Sequence, residues 1–403
     1  MSDAGRIPPA EVPLIVGVVG AGTMGAGIAQ VSLQAGHEVQ LHDVDHAAIE
    51  GGRARIADGL QKLVDKGRLA PGERQQMLGL LHDAHSLSGL VQEADLVIEA
   101  ALEDIELKGT IFRALGASAQ SETILATNTS ALSVTEIGES SGVPDRVLGL
   151  HFFNPAPLMP LVEVVVTPRT SNSTLERAMA FVEGLGKVPI LSADAPGFIV
   201  NRVNRPFTLE ALRMLEAGEA GVEQIDRAVQ SAGYPMGPLS LMDLVGIDVN
   251  LAVATALWEG FDEAVRFTPS PIQRALVEAR RLGRKTGDGF YRYQAGRSTG
   301  LSPSLGDAGV PAAGASTDLT DVEIVERIEL AIINEAYHAA GEGVAQPPDI
   351  DRALKLGANH PHGPFERAGQ LGLRHVIDGL VRLESRHGEC FRVAPSLWQV
   401  ASI

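Results

Sequence analysis

The sequence predicts an α/β domain built on a parallel sheet, followed by two copies of one all-α domain. Three observations predict it. Short apolar runs alternate with helical spacing through the first half of the chain. A glycine-rich turn, Gly20-Ala21-Gly22-Thr23-Met24-Gly25, joins the first strand-like run to the first helix-like segment. Two ordered sequence blocks recur in the second half.

Taken in order, Leu14 to Val19 is an apolar run closed by glycine. Thr23 to Gln34 has helical spacing, with the small residues Ala26, Gly27 and Ala29 near its start. Glu38 to Leu41 reads as a second strand, closed by His42 and Asp43. Leu96 to Ala100, Ile124 to Thr127 and Val147 to Leu150 are further apolar runs, each followed by polar residues. Strand–helix–strand repetition of this kind argues a parallel sheet with helices on both faces. Leu161 to Val166 and Val188 to Leu191 read as late strands flanking a helix near residues 175–185. After Pro196 the strand signal fades, and Phe198 to Glu216 reads as a long helical segment.

Ile225-Asp226-Arg227-Ala228 precedes Tyr234-Pro235-Met236-Gly237-Pro238, and Ile350-Asp351-Arg352-Ala353 precedes His360-Pro361-His362-Gly363-Pro364. Glu210 and Glu335 stand at matching places upstream. Two ordered blocks plus the upstream glutamate mark an internal repeat. The expected organisation is an α/β domain over 14–195, a first helical copy over 196–293, a linker rich in Gly, Ser, Ala and Pro over 294–319, and a second copy over 320–403.

The chain has 403 residues, 45% hydrophobic and 21% charged, which is globular composition. Its 33 basic residues against 50 acidic ones give a net charge of −17. An acidic chain of this kind is a poor general binder of nucleic acid or anionic membrane, so neither is expected as a partner. The single cysteine, Cys390, excludes an intrachain disulfide and fits a reducing compartment. Met1 to Pro13 lacks the apolar run of a signal peptide, and no stretch approaches the roughly 20 apolar residues of a membrane span. A soluble cytoplasmic protein is expected, with no metal site.

The glycine turn carries the first functional signal. Gly20 permits the tight turn, Gly22 lets backbone approach a pyrophosphate, and Gly25 allows close helix–strand packing. Thr23 and Met24 open the helix, whose N-terminus offers N–H groups and a positive dipole end to an anion. Asp43 closes the second strand where an acidic residue takes the ribose hydroxyls. A carboxylate there repels a 2′-phosphate, so the α/β domain is expected to be Rossmann-type and to bind NAD rather than NADP.

The reaction must be read elsewhere: in Thr127-Asn128-Thr129-Ser130, in Gly149-Leu150-His151-Phe152-Phe153-Asn154-Pro155, in Glu163, and in Asn201 of Pro196-Gly197-Phe198-Ile199-Val200-Asn201-Arg202. Ser130 and His151 fall just past strand ends, where ligands lie in open α/β sheets. His151 can exchange a proton near neutrality. Glu163 on the following strand can face it and hold its tautomer. Ser130 and Asn201 can position a hydroxyl or carbonyl oxygen, and Asn128 is expected on the cofactor side. A satisfied strand-end histidine and a solvated glutamate remain the alternatives at this point.

With the YPMGP block and Gly287-Asp288-Gly289-Phe290-Tyr291, this ordered set resembles the L-3-hydroxyacyl-CoA dehydrogenase family. The likeness runs from about residue 14 to 293 and, through the repeat, to the C-terminus. It implies helical domains of that family's C-terminal type and NAD-dependent, reversible oxidation of an L-3-hydroxyacyl-CoA to the 3-oxoacyl-CoA. It implies His151 as general base, Glu163 as its partner, and Ser130 and Asn201 on the substrate oxygen. It also implies that Glu103 and Lys108 contribute to the cofactor pocket and that Lys66 contacts CoA.

Arg55, Lys62 and Lys66 share one helix face, which serves either as a solvated side or as a cationic stripe for CoA phosphates. Gly59 departs from the family, where serine is common. Arg280, Arg281, Arg284 and Lys285 read as a solvated helix end. The rival readings are a dehydrogenase of a free hydroxy acid on the same fold and a non-catalytic NAD-binding protein. The few residues ahead of the glycine turn leave no room for a crotonase-like region, so a fused hydratase is not expected. Relatives with one helical domain pair through it, as the resemblance implies. The second copy is therefore expected to pack on the first as an intrachain pseudo-dimer, with a homodimer the alternative.

Overall fold

The computed structural model describes residues 12–311 and 319–401. The reading of the N-terminal segment over residues 1–11, residues 312–318 of the expected linker, and 402–403 of the second copy lie outside the described residues. The chain divides into two compact units, Met1–Phe198 and Ile199–Ile403.

The first unit runs β1 (Ile15–Val19), α1 (Thr23–Gln34), β2 (Glu38–His42), α2 (His46–Asp65), α3 (Pro71–Gly79), β3 (Leu81–Asp83), α4 (Leu87–Glu93), β4 (Leu96–Glu99), α5 (Ile105–Ser118), β5 (Ile124–Thr127), α6 (Val134–Ser140), β6 (Val147–Phe152), β7 (Leu161–Val166), α7 (Asn172–Gly184) and β8 (Val188–Ala193). The sheet order is β3-β2-β1-β4-β5-β6-β7-β8. Alternation along the strands builds two cores. Val16, Val18, Leu96, Ile98, Ile124 and Ala126 face one helical layer, while Val19, Val97, Leu125 and Val147 face another with Phe112 and Leu115. A sheet buried on both faces explains why its strands read as near-continuous apolar runs.

The parallel sheet expected from the sequence has one antiparallel pair, because β6 and β7 run antiparallel, with His151 opposite Glu163. No helix separates these two strands, and a parallel crossover needs a dozen or more residues, usually helical. The sequence reading also lacked β3, a three-residue strand whose His82 and Asp83 are exposed and leave no apolar run.

The second unit runs α8 (Val200–Val203), α9 (Arg205–Glu216), α10 (Val222–Ser231), α11 (Pro238–Val245), α12 (Ile247–Gly260), α13 (Pro271–Glu278), β9 (Tyr291–Gln294), β10 (Arg297–Leu301), α14 (Asp321–Gly341), α15 (Pro347–Gly357), α16 (Pro364–Leu371), α17 (Leu373–His387) and α18 (Pro395–Ala401). Residues 294–301 of the expected linker depart from that reading. β9 and β10 pair antiparallel across Ala295 and Gly296, both at positive φ, the two-residue geometry that suits a hairpin's twist.

The repeat is physical as well as textual. Asp226 accepts from the N–H groups of Leu239 and Ser240 at 2.9 and 3.0 Å. Asp351 accepts from those of Phe365 and Glu366 at 2.8 and 3.0 Å. Each aspartate thus satisfies the opening N–H groups of the helix behind its Gly-Pro step. A Cβ on Gly237 or Gly363 would stand 2.2 Å from the respective aspartate, which accounts for both glycines.

The two copies also hold each other reciprocally. Arg202 of Ile199-Val200-Asn201-Arg202 pairs with Glu335 at 2.7 Å. Its counterpart Arg327, in Ile324-Val325-Glu326-Arg327, pairs with Glu210 at 2.8 Å. All four side chains are buried. The matching glutamates noted in the sequence are therefore partners of the other copy's arginine.

Candidate functional site

At the carboxyl end of β1, Gly20 takes φ +101, and a Cβ there would stand 2.5 Å from the Ala100 carbonyl oxygen. A Cβ on Gly25 would stand 1.8 Å from the carbonyl oxygen of Gly20, whereas one on Gly22 would meet nothing within 4 Å. The first two glycines are thus demanded by packing, and the third leaves an open approach. Gly22 is the N-cap of α1 and brings no side-chain cap, and the first turn carries no acid. The opening N–H groups at Thr23 and Met24 and the positive helix end remain available to an anion. Asp43 stands beside this turn, its Oδ2 accepting from the Ala21 N–H at 2.8 Å. These residues fit NAD: a cradle for pyrophosphate with a carboxylate next to it.

A second network lies at the ends of β4 and β5. Lys108 is buried and pairs with Glu99 at 2.6 Å and Glu103 at 3.4 Å. Glu99 also accepts from Thr127 Oγ1 at 2.7 Å and from the Ala101 N–H at 2.6 Å. Glu103 Oε1 accepts from Thr129 Oγ1 (2.6 Å), the Ser130 N–H (2.8 Å) and Ser130 Oγ (3.1 Å). Burial pushes the Glu103 carboxyl up, but these hydrogen bonds and the Lys108 ammonium outweigh it and hold the group below the usual carboxylate range. Glu103 thus fixes the Ser130 loop, and Lys108 fixes Glu103. The sequence reading missed Glu99 and gave Thr127 no role of its own within its block. The available signal was an acid ending the otherwise apolar strand Leu96-Val97-Ile98-Glu99.

Asn128 Oδ1 accepts from the Phe152 N–H at 2.9 Å and ties the end of β5 to β6. On β6, His151 Nδ1 meets Glu163 Oε2 at 2.6 Å, and both side chains are buried. The antiparallel register sets this pair, because directly opposed residues project to the same face. The ring is packed by Phe153 and Phe198, at 4.5 and 5.7 Å between centroids. A carboxylate only accepts, so the geometry suits the tautomer in which Nδ1–H donates to Glu163 and Nε2 keeps its lone pair.

Asn201 belongs to the second unit, half-buried on α8. Lys66 and Lys62 are exposed at the end of α2. Arg55 turns from them toward the glycine turn, donating to the Ala21 carbonyl at 3.4 Å. Gly59 has a local reason: a Cβ would stand 2.0 Å from Gln30 Oε1, so the Gln30 amide occupies the space a serine would need. In the basic cluster before the GDGFY turn, Lys285 is held by Asp248 at 2.5 Å and Arg281 by Asp307 at 3.4 Å. The GDGFY turn itself wraps Asp243, which accepts from the N–H groups of Phe290 (2.9 Å) and Tyr291 (2.8 Å). That motif is therefore accounted for by folding. Among the described residues, no group of three or more His, Cys, Asp or Glu side chains is placed to hold a metal ion.

The sheet order and glycine cradle define a dinucleotide-binding domain, and comparison with known proteins narrows the class. The family model for the 3-hydroxyacyl-CoA dehydrogenase NAD binding domain matches residues 15–195. The model for that family's C-terminal domain matches twice, over 197–293 and 324–402. The 3-hydroxyadipyl-CoA dehydrogenase of Escherichia coli K12 is 36% identical, covering 93% of this chain and 94% of that protein. Human mitochondrial hydroxyacyl-coenzyme A dehydrogenase is 41% identical over 69% of this chain and 91% of its own. The crystal structure of 3-hydroxybutyryl-CoA dehydrogenase from Escherichia coli K12 superposes with a TM-score of 0.88 at 34% identity, covering 97% of this chain and 98% of that one. The chain belongs to the 3-hydroxyacyl-CoA dehydrogenase family and is an NAD-dependent oxidoreductase.

Proposed function

We propose that the chain oxidises L-3-hydroxyacyl-CoA thioesters to 3-oxoacyl-CoA, reversibly, with His151 as the general base. The observation that carries this reading is the buried His151–Glu163 pair at 2.6 Å. Glu163 holds the Nδ1–H, so Nε2 accepts the proton of the substrate hydroxyl. The resulting imidazolium is stabilised by the Glu163 carboxylate. NAD, when bound, supplies the hydride acceptor. Ser130, held by Glu103, and Asn201 position the substrate oxygen, and exposed Lys66 meets the CoA moiety. In the reverse direction the imidazolium returns its proton to the nascent alkoxide.

The domain limits proposed are those of the sequence reading except that residues 294–301 go with the first copy through the β9–β10 hairpin, with the two helical copies acting as one body. The reciprocal Arg202–Glu335 and Arg327–Glu210 pairs support an intrachain pseudo-dimer in which copy two stands in for a partner subunit. Glu326, at the place that Asn201 holds in copy one, pairs with His375 at 2.9 Å, which supports a second copy without a substrate site. No single helix among the described residues is long and apolar enough to cross a membrane. The lone thiol of Cys390 fits a reducing compartment, and we place the enzyme in the cytoplasm.

The test is NADH absorbance with acetoacetyl-CoA and with free acetoacetate. The reading expects rapid NADH loss with the thioester alone. Faster turnover of the free acid would overturn it in favour of a hydroxy-acid dehydrogenase. Silence with both would point to NAD binding without turnover.

A further inference from the structure

The segment that follows β8 holds one aromatic ring in place against the preference of its backbone. Ala195-Pro196-Gly197-Phe198 is a tight turn, closed by the Phe198 N–H on the Ala195 carbonyl at 2.9 Å. Proline at its second place and Gly197 at φ +72 at its third follow the type II pattern. Phe198 then takes φ +50 itself, a conformation that glycine adopts freely and a bulky side chain resists. Among the described residues, the other non-glycine positions at positive φ are Asp262, Glu263, Arg280, Ala295 and Asn359, and all are exposed. Phe198 is 1% exposed. Glycine would serve the backbone here, so phenylalanine is kept for its ring, and strain of this kind gathers where geometry matters to function.

The surroundings make room for that ring. Across β6 and β7, Gly149 stands opposite Val165 and His151 opposite Glu163. Alternate residues of a strand share a face, so these four line one face of the sheet. Phe198 forms a small apolar cluster with Val165 and with Val134, the first residue of α6. A Cβ on Gly149 would stand 2.9 Å from Val165 Cβ and 3.2 Å from Val134 Cγ2. β6 thus gives up a side chain two residues before His151 to admit the cluster. Asp194 pins the turn to the same place, accepting from the N–H groups of Val134 (3.1 Å) and Thr135 (2.7 Å). The Phe198 ring is thereby brought to 5.7 Å from the His151 imidazole between centroids, inclined at 58°. Every residue in this arrangement belongs to the first unit.

The bond from Glu163 holds one edge of the imidazole and leaves the ring able to rock about that edge. Close apolar packing removes such freedom. We propose that Phe198 is a positioning residue for the general base, its ring fixing the direction in which His151 Nε2 points. This rests on the reading of His151 as the base. Phe198 itself touches neither substrate nor cofactor in this role.

The test measures kcat with 3-hydroxybutyryl-CoA in wild type, His151→Ala, Phe198→Gly and the double variant, and NAD affinity by fluorescence titration. Phe198→Gly suits the backbone and removes the ring. Phe198→Leu, carried through the same two backgrounds, keeps apolar bulk and decides the matter should the glycine variant fail to fold. With His151 present, Phe198→Gly is expected to lower kcat by about 10- to 100-fold, the cost of misplacing a reacting group by about an ångström. NAD affinity should hold. Phe198→Leu is expected to show the same pattern at smaller size. In the His151→Ala background either substitution is expected to cost less than about twofold, since a residue that acts through His151 loses its effect with it. An equal loss in both backgrounds, or no loss from either substitution, overturns the proposal and leaves the reading of His151 intact. Full turnover by His151→Ala overturns that reading and this proposal together.

Discussion

His151 and Glu163 show how far a single residue can be read. A histidine past a strand end and a glutamate on the next strand were legible as types and positions. That they meet depended on the strand direction, which follows from the missing helix between β6 and β7. Replacing His151 with Ala is expected to lower turnover by about 100- to 10,000-fold, the usual worth of a positioned acid–base group. NAD affinity, read by fluorescence titration, should hold because the glycine turn is untouched. Near-wild-type turnover in a folded variant would remove His151 from the mechanism. Glu163→Gln should also lower turnover, because it removes the counter-charge of the imidazolium.

For Asp43 we propose two jobs, of which the sequence showed one. Its carboxylate was legible as a neighbour of the ribose, but its bond to the Ala21 N–H also braces the glycine turn. Asp43→Asn keeps an acceptor for that N–H while removing the charge. The variant is expected to retain NAD turnover and to lose at least about 10-fold of its discrimination against NADP, about 1.4 kcal/mol. An unchanged ratio of kcat/KM for the two cofactors would show that the carboxylate does not face the 2′ position. Lys108 was harder to read. A lysine on an amphipathic helix looks solvated until the buried face is known, and only the acid at the end of β4 betrays its partner.

At the scale of elements, the repeat blocks were legible but their mutual contact was not. His360 stands in its block where Tyr234 stands in the other, and the two rings meet edge-on with centroids 5.1 Å apart. His360 Nε2 bonds to Asn204 Oδ1 at 2.7 Å, which joins α15's trailing loop to the break between α8 and α9. Burial, with the charge of His362, lowers the imidazole to about 3 from an ordinary 6.5. The fold therefore holds the neutral ring, while the unfolded chain takes up a proton below about 6.5. The sign follows: this contribution is fully present above about 6.5 and is lost as pH falls toward 3, at about 1.4 kcal/mol per unit. His360→Gln keeps a donor for Asn204 but does not titrate. Urea unfolding from pH 7 to 4 should show a shallower loss of stability in this variant. Parallel curves would show that His360 does not set the acid limit.

Over the whole molecule, the sequence revealed two helical copies because block order survives divergence. It did not reveal the ion pairs between them, since an arginine and a glutamate far apart in the chain carry no sign of being partners. The geometry of those pairs decides what removal of copy two would do. Truncation after Tyr293 strips Arg202 of both its carboxylates, Glu335 and Glu342, and leaves Glu210 with Arg213 alone; removing the partners of a buried cation costs several kcal/mol.

Copy one nonetheless contains both halves of the reciprocal contact. Arg202 matches Arg327 and Glu210 matches Glu335, so two truncated chains can form Arg202–Glu210 twice across a two-fold axis. That is the self-complementarity an isologous interface requires. The intact chain is therefore expected to be monomeric, and the truncated chain dimeric, in light scattering after size exclusion. Arg202→Glu in the truncated chain should abolish the dimer by opposing like charges, whereas Arg202→Glu with Glu210→Arg should restore it. A truncated chain that stays monomeric and as stable as the full protein would remove the pseudo-dimer reading. A truncated dimer unaffected by Arg202→Glu would place the self-association on another surface.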